Sequence, residues 1–307
     1  MFPAKAALRK RSALSQIRRH WKITLFAFVD FEPYPLRENL SERTLGQEFL
    51  IERGWRVLGV VLDMYLEITL IASLIAIFSF IQSIFGLGIL VFGTPTLLLM
   101  GFGFSETLGT LLPSSMVISA MQIATPGIDR PKMPRELYFL CLPIIAASLW
   151  FSIATGFVEY TIMLVGGILL FSGIARSVSV FQVKLAGFIK SNSALYHLAM
   201  GAVHGLTNIG GALLAVFAAS VYPKKEEMRY TIAYYYFAFG VLQCATLLLT
   251  FSGNALVKGV LLSAIAAIIY IAVGSPLFRK LRDLEYNRAM SVFIFAYGAI
   301  LLGKGLV

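Results

Sequence analysis

Two short stretches place glycine beside hydroxyl, amide and imidazole side chains within otherwise apolar sequence. The first contains Gly86, Gly88 and Thr94, with Pro95 directly after them. The second covers residues 204–211 and reads HGLTNIGG. Glycine lets a ligand approach the backbone closely, and the free N–H groups at a helix start favour negative charge. These residue types therefore predict a binding site for a small anion.

The predicted site combines both stretches with one hydroxyl of the following span. Its substrate-binding residues are Gly86, Gly88, Thr94, Thr110, His204, Thr207, Asn208, Gly210 and Gly211. His204 either binds the anion or carries a coupled proton, and hydrogen bonding to a neighbouring helix is the alternative. Because no arginine or lysine is evident near the middle of the membrane, we expect dipoles and hydrogen bonds to hold the anion.

Other polar residues within the apolar runs have less specific interpretations. His197 lies on roughly the same helical face as His204, and we expect it nearer to the membrane boundary. Gln122 and Gln243 are candidates for lining the path of the substrate. The tyrosines at 234–236 are expected to pack or to lie at the interface, and a hydroxyl facing the cavity is the other interpretation.

The elements that hold these residues must be membrane helices. No Asp, Glu, Lys or Arg occurs from Ile68 to Ser105, and this run is too long for one crossing of about 20 residues. It therefore predicts a helix followed by a broken element, and 194–221 is a second broken element. Irregular backbone at membrane depth lines a cavity or is buried in protein. Close helix packing through small residues is the alternative role for the glycines.

Composition excludes an ordinary soluble domain and a β-barrel. Of the 307 residues, 58% are hydrophobic and only 14% are charged. The apolar runs are continuous rather than alternating, so the predicted fold is an all-α polytopic membrane protein with about eight transmembrane helices. The net charge of +10 is assigned to basic loops and anionic lipid rather than to nucleic acid. The two cysteines give neither a metal site nor a disulfide framework.

The predicted organisation is an N-terminal extension followed by two repeats. Residues 1–56 form a basic amphipathic, cytoplasmic or interfacial extension, in which 1–29 contain seven Lys or Arg and no acid. A mitochondrial-type targeting peptide is a second interpretation of this segment. The transmembrane repeats cover 57–180 and 181–307, with Gly86 aligned on Gly205. Basic loops share one side only if both broken elements are re-entrant, which makes the halves inverted repeats.

The paired motifs resemble the sulfite exporter TauE/SafE family of membrane permeases. The likeness rests on Gly86-Leu87-Gly88, on Pro95, on Leu108-Gly109-Thr110, and on residues 204–211, and it covers about residues 60–307. The first half departs from the family pattern in lacking a glycine triplet, and the second has Leu214 where the proline would fall. The resemblance implies secondary transport of sulfite, an organosulfonate or another small sulfur oxyanion, often with proton coupling.

Taken together, these features predict a multi-pass secondary transporter in the inner or plasma membrane. No P-loop, HExxH or nucleophile-elbow motif occurs, so an enzyme is not expected, and neither a metal nor a cofactor. The expected partners are the anion and the bilayer, with anionic lipid at the basic N-terminus, and a homodimer is left open. The alternative function is a membrane scaffold or assembly factor that recruits a partner through this N-terminus.

Overall fold

The computed structural model describes residues 42–127, 130–157, 161–250 and 254–305, and every element in these ranges is helical. The chain divides into two compact units, Met1–Ile68 and Thr69–Val307. The predicted basic segment 1–29 lies outside the described residues. Helix α1 begins at Glu42 and continues through the predicted boundary at residue 56.

Twelve α-helices follow one another in the described ranges. They are α1 (Glu42–Phe85), α2 (Thr94–Leu99), α3 (Phe104–Ile123), α4 (Leu142–Thr155), α5 (Thr161–Ser177), α6 (Ser179–Ser191), α7 (Ser193–Thr207), α8 (Gly211–Val221), α9 (Lys225–Thr250), α10 (Asn254–Ile269), α11 (Ser275–Lys280) and α12 (Asp283–Gly305). Three π-helical segments, Ile89–Gly93, Leu137–Cys141 and Tyr270–Gly274, run directly into α2, α4 and α11.

Several helices are long and apolar enough to cross a membrane, as expected for a membrane protein. In the described part of the chain they are Val61–Phe85, Leu137–Thr155, Lys225–Leu249 and Ala255–Lys280. The pair Val165–Ser177 and Val180–Ser191 is bent by 106° and makes a fifth span if it is counted as one. Ile89–Leu99 and Gly211–Val221 are shorter apolar helices. By this criterion four or five spans are present, against the eight or so predicted.

A proline follows each of the three π-helical segments at the same distance. Pro95, Pro143 and Pro276 each stand two residues after the segment ends. Proline lacks an N–H donor and its ring clashes with a carbonyl one turn earlier. A wider π-helical turn is a common way to accommodate a disturbed ladder. The prolines thus account for these widened turns without ending the spans.

Side-chain contacts fix the relative directions of the helices around the second broken element. His197 of α7 contacts Tyr235 of α9, and Asn208 contacts Gln243 further along α9, so α7 and α9 run parallel. The Tyr196 hydroxyl donates to the carbonyl of Leu213, which shows that α8 folds back along α7. The chain therefore enters along α7, reverses at residues 208–210 and returns along α8.

The remaining long helices pack through small residues. Gly109 and Thr110 of α3 meet Ala255 and Gly259 of α10 in parallel order. Gly201 of α7 lies against Cys141 and Ile144 in the same way. By contrast, α5 and α12 are antiparallel, because Gly166 contacts Leu302 while Gly173 contacts Phe295. Small residues let membrane helices approach closely, which explains these pairings.

The two breaks in the helices begin with the same left-handed turn but differ at their last residues, since φ is 169° at Gly88 and −54° at Gly210. Gly86 and Asn208 both adopt left-handed conformations, with φ of 79° and 63°. Each N–H bonds the carbonyl four residues earlier, at 2.8 and 2.7 Å, as in a left-handed helix cap. Two residues later, Gly88 and Gly210 lie against the preceding helix. Gly86 thus corresponds to Asn208, and the predicted alignment with Gly205 is wrong by three residues, because Gly205 lies inside α7.

Candidate functional site

One amide side chain, that of Gln82, bridges the first break, residues 86–88. The Gln82 Oε1 accepts the N–H of Ile89 at 3.1 Å, which satisfies the start of the next helical segment. The Gln82 Nε2 donates to the carbonyl and the hydroxyl of Ser115 and to the hydroxyl of Ser119. This side chain therefore joins α1, the break and α3 and leaves its own polar atoms paired.

The carbonyl groups at the end of α1 are capped as well. Gln122 donates to the carbonyls of Gln82 and Ser83, Arg229 donates to Ser83, and the Tyr286 hydroxyl donates to Phe85. Free carbonyls at a buried helix end need such partners. The carbonyls of Gln82, Ser83 and Phe85 at this helix end are thus hydrogen-bonded, whereas the Oε1 of Gln122 is buried without a partner.

The second break, residues 208–210, is organised by Asn208. This residue is the only one other than glycine with a positive φ among the described residues. Its Nδ2 donates to the Thr94 hydroxyl at 2.8 Å, and its Oδ1 accepts from Gln243 Nε2 at 3.1 Å. Thr207 accepts the N–H of Ile209 at 3.2 Å. Asn208 therefore connects the second break both to the helix that follows the first break and to α9.

Beside this junction lies a group of polar side chains with unused hydrogen-bonding atoms. His204 occupies the position that Gln82 holds in the first break. The residue is fully buried and neither ring nitrogen makes a hydrogen bond of normal geometry, although the ring interacts with the side chain of Gln243. The hydroxyl of Tyr236 and the Oε1 of Gln243 are also buried and unpaired. The Tyr236 hydroxyl lies so close to Gly211 that a Cβ there would be 1.6 Å away. We call His204, Tyr236 and Gln243 the polar triad.

Aromatic packing encloses the polar triad. The His204 ring lies 4.5 Å from the ring of Phe239 and 6.1 Å from that of Tyr236. His197 has the contrasting environment, because its Nε2 contacts the Tyr235 hydroxyl and its Nδ1 contacts the carbonyl of Ser193, both at 2.8 Å. His197 is fully buried in the protein, and its position near the membrane boundary stays a prediction. Of these two histidines, His204 is the one whose ring nitrogens are left for a further group.

The structure brings some of the predicted site residues together and separates others. Thr94, Thr207 and Asn208 meet at the second break, and His204, Gly210 and Gly211 adjoin them. Gly86 contacts Arg229, whereas Asn208 contacts Gln243. Arg229 and Gln243 are separated by about 21 Å along α9, given a rise of about 1.5 Å per residue. Gly86 thus lies toward the start of α9 and Asn208 toward its end, although Gly211 of the second break lies against Val91 of the first broken element. A single site between the breaks stays a prediction.

Thr110 is also outside the second break, because it lies where α3 packs against Gly259 of α10. Gln243, a candidate for lining the path, belongs to the polar triad, whereas Gln122 caps the end of α1. The sequence left open a cavity-facing hydroxyl among the tyrosines at 234–236, and the Tyr236 hydroxyl is buried and unpaired. The burial of Arg176 and Arg229, which are 5% and 2% exposed, escaped the sequence reasoning.

Donor types at the second break fit a small polar ligand rather than a metal ion. No group of three or more His, Cys, Asp or Glu side chains is close enough to hold a metal within the described ranges. The triad offers a hydroxyl donor, an imidazole that donates and accepts, and an amide oxygen that accepts.

Comparison of the chain with family models, with curated proteins and with solved structures finds no match.

Proposed function

We propose that the protein is a multi-pass membrane transporter of a small anion, built from two halves of opposite orientation. Each half begins with a broken pair, α1–α2 or α7–α8. The helices α3 and α9 follow these pairs and run antiparallel, because Gln122 and Arg229 both reach Ser83 while Met116 contacts Gly240. The helices α5 and α12 are antiparallel too. Opposite directions of equivalent helices are typical of inverted-repeat transporters.

Two further helices do not meet the apolar criterion used above but are long enough to cross a membrane. Counting them brings the number of spans close to the eight or so predicted. The helix α3 has 20 residues and α12 has 23, so each reaches about 30 Å or more, the thickness of the hydrocarbon layer. Together with α1, α4, α5, α9 and α10 they make seven crossings. The broken element that follows α1, with the short apolar helix Ile89–Leu99, and the pair α7–α8 supply the re-entrant elements.

The observation that carries the transport proposal is the polar triad at the second break. Buried polar atoms are nearly always hydrogen-bonded, and leaving them unpaired costs about 1–3 kcal/mol each. Four such atoms on three neighbouring side chains are explained by a ligand that binds there. The start of α8 adds the positive end of a helix dipole, which favours negative charge.

The chemistry of the triad favours a small oxyanion that still carries a proton. Tyr236 and one His204 nitrogen can donate to anionic oxygens, whereas Gln243 Oε1 can only accept. An oxyanion with one remaining proton, such as hydrogensulfite, satisfies both requirements. The likeness to the TauE/SafE permeases names the same chemical class, sulfite or an organosulfonate. Coupling to a proton gradient follows if the ionisable His204 exchanges a proton during the cycle.

Uptake of labelled sulfite into proteoliposomes, with and without a proton gradient, tests this function. We expect His204→Gln and Gln243→Leu to reduce the rate at least about tenfold, because about 1.4 kcal/mol of lost binding already gives that factor. His204→Gln is informative because it copies the paired amide of the first break. Ser220→Ala, which removes a hydroxyl bonded only within α8, is the matched control.

Two outcomes count against the proposal. Unchanged sulfite flux in both triad variants removes the second break as the site. If the wild-type protein carries neither sulfite nor a small sulfonate under any gradient, the transport assignment itself fails, and the scaffold function gains support. Thermal unfolding of each variant in detergent shows whether a loss of flux reflects a loss of folded protein.

A further inference from the structure

An open cleft lies where the widened turn Tyr270–Gly274 faces the end of α3. Its volume is about 500 Å³, and its walls come from the segments 121–126 and 270–279. The turn is widened ahead of Pro276, as described above, and such π-helical turns are frequent at functional sites. The cleft is therefore a consequence of the proline in this span.

One part of the cleft has an apolar wall and no free hydroxyl group. Met121, Ile271 and Pro276 contribute the apolar surface. The hydroxyls of Thr125 and Tyr270 contact each other at 3.1 Å, and Thr125 also donates to the carbonyl of Met121 at 3.0 Å. Because these hydroxyls are already paired, this part of the cleft suits a hydrocarbon chain better than a polar ligand.

The other part of the cleft is cationic. Arg279 lines it and is exposed, and its guanidinium makes no hydrogen bond or ion pair with the residues that the structure describes. Ser275, which also lines the cleft, lies one turn before Arg279 on the same face of α11. Tyr270 and Arg279 are about 13 Å apart along the helix axis, given a rise of about 1.5 Å per residue. The cleft thus joins an apolar wall to a charged end.

The acidic side chains that follow α11 are engaged elsewhere. Asp283 accepts the backbone N–H of Lys225 at 2.9 Å, and Glu285 accepts from the Arg282 Nε at 2.9 Å. Arg279 therefore keeps its positive charge for an anion from outside the protein.

The position of the cleft along the span matches an amphiphile. The helical segment Ala255–Lys280 is long and apolar enough to cross a membrane, and Arg279 lies in its last turn. Lys280 is exposed beside it, and the segment that follows α3 carries Arg130 and Lys132, both exposed. Basic residues at the end of a membrane span attract anionic lipid headgroups.

We propose that this cleft binds one anionic phospholipid, with its phosphate on Arg279 and an acyl chain along Met121, Ile271 and Pro276. The planar guanidinium fork matches the oxygens of a phosphate group. A free phosphate ion would use the arginine and leave the apolar wall uncovered, which favours the lipid. This site is separate from the polar triad and does not depend on transport.

The test is a titration of the purified protein in a neutral detergent with phosphatidylglycerol, in which native mass spectrometry counts the bound lipids. We expect one lipid to bind about fivefold more weakly to Arg279→Gln than to the wild type, which is the contribution of one basic residue at a membrane surface. Phosphatidylcholine, whose own cation neutralises its phosphate, should also bind more weakly. Arg288→Gln removes an exposed charge from α12, outside the cleft, and should preserve the affinity for phosphatidylglycerol.

A second pair of variants tests the apolar wall without changing the charge. Ala124→Trp places a large side chain in the cleft and should lower the affinity for phosphatidylglycerol, whereas Leu261→Trp, on an exposed part of α10, should not. Ala124, Arg279 and Leu261 are all exposed, so these variants should fold. His204→Gln should retain the lipid, because the polar triad is a different site.

Three results would overturn the proposal. The first is an equal affinity for phosphatidylglycerol in the wild type, Arg279→Gln and Ala124→Trp. The second is equal binding of phosphatidylcholine and phosphatidylglycerol. The third is displacement of phosphatidylglycerol by an equal concentration of inorganic phosphate, which would assign the cleft to a free anion.

Discussion

At the scale of single residues, the two breaks differ in one informative way. Gly86 and Asn208 adopt the same left-handed conformation, which glycine reaches without strain and asparagine tolerates. A side chain at this position is retained only at the second break, where it bonds Thr94 and Gln243. The left-handed turn itself does not need a side chain. The amide of Asn208 therefore has a separate role, which is to connect the second break to Thr94 and to α9.

Two substitutions of Asn208 separate the contribution of its hydrogen bonds from that of the left-handed backbone. Asn208→Gly keeps the left-handed backbone but leaves Thr94 and Gln243 without this partner, so we expect a loss of about 1–3 kcal/mol in stability. Asn208→Ala loses the same bonds and adds strain at positive φ, and should lower the Tm further. Thermal unfolding in one detergent gives the order wild type, glycine, alanine. An alanine variant as stable as the glycine variant would contradict the argument about strain.

The sequence identified the presence of the breaks better than their register. Glycines, proline and polar residues within charge-free runs correctly indicated interrupted helices near residues 86–88 and 208–210. The register of the second was wrong because glycine serves two purposes in membranes. Gly205 allows α7 to approach Ile145 and Ser148, whereas the left-handed position is taken by asparagine. Composition alone does not distinguish a packing glycine from a cap.

The sequence does not predict which side chains from different helices contact each other. His197 and His204 lie on one helix, and the sequence does not show that the Tyr235 hydroxyl contacts the first ring while the second lies beside Gln243. The arginines at 176 and 229 appeared to be ordinary loop charges, because each stands near the end of an apolar run. Their burial depends on which helices pack around those ends, and this information is non-local.

At the scale of elements, close contact between helix backbones decides which glycines can change. In α5, Gly173 lies where a Cβ would come within 2.8 Å of the Phe295 backbone, whereas Gly167 has nothing within 4 Å. Association of membrane helices depends on such packing, because lipid supplies little hydrophobic drive between them. The antiparallel α5–α12 pair therefore depends on one side of α5.

Two leucine substitutions on α5 test this dependence. Gly173→Leu must push α12 away, and we expect it to reduce stability by about 1–3 kcal/mol or more. Gly167→Leu, on the exposed side of the same helix, should leave the Tm within about 1 °C, since exposed substitutions change stability by under about 0.5 kcal/mol. Thermal unfolding of both variants in the same detergent gives the comparison. Similar Tm values for the two variants would show that the pair is not held by this contact.

At the scale of the whole molecule, the proposed inverted halves imply that equivalent loops of the two halves lie on opposite sides of the membrane. Because α3 and α9 run antiparallel, the residue before α3 and the residues before α9 lie at opposite ends of the bundle. Gly103 and Pro223 are exposed at these two positions. The region after Pro223 carries Lys224, Lys225 and Arg229, and basic segments concentrate on the cytoplasmic side. Gly103 should then face the opposite side.

Cysteine labelling in inverted and right-side-out vesicles measures this arrangement. The natural Cys141 is buried and Cys244 is partly buried, and both are first replaced by alanine to give a silent background. In that background, Gly103→Cys should react with an impermeant maleimide only from outside, and Pro223→Cys only from inside. Along the chain, the two positions are separated by α3, α4, α5, α6 and both arms of the second broken element. Labelling of both from one side would contradict the three crossings assigned to α3, α4 and α5, and the two halves would not be inverted.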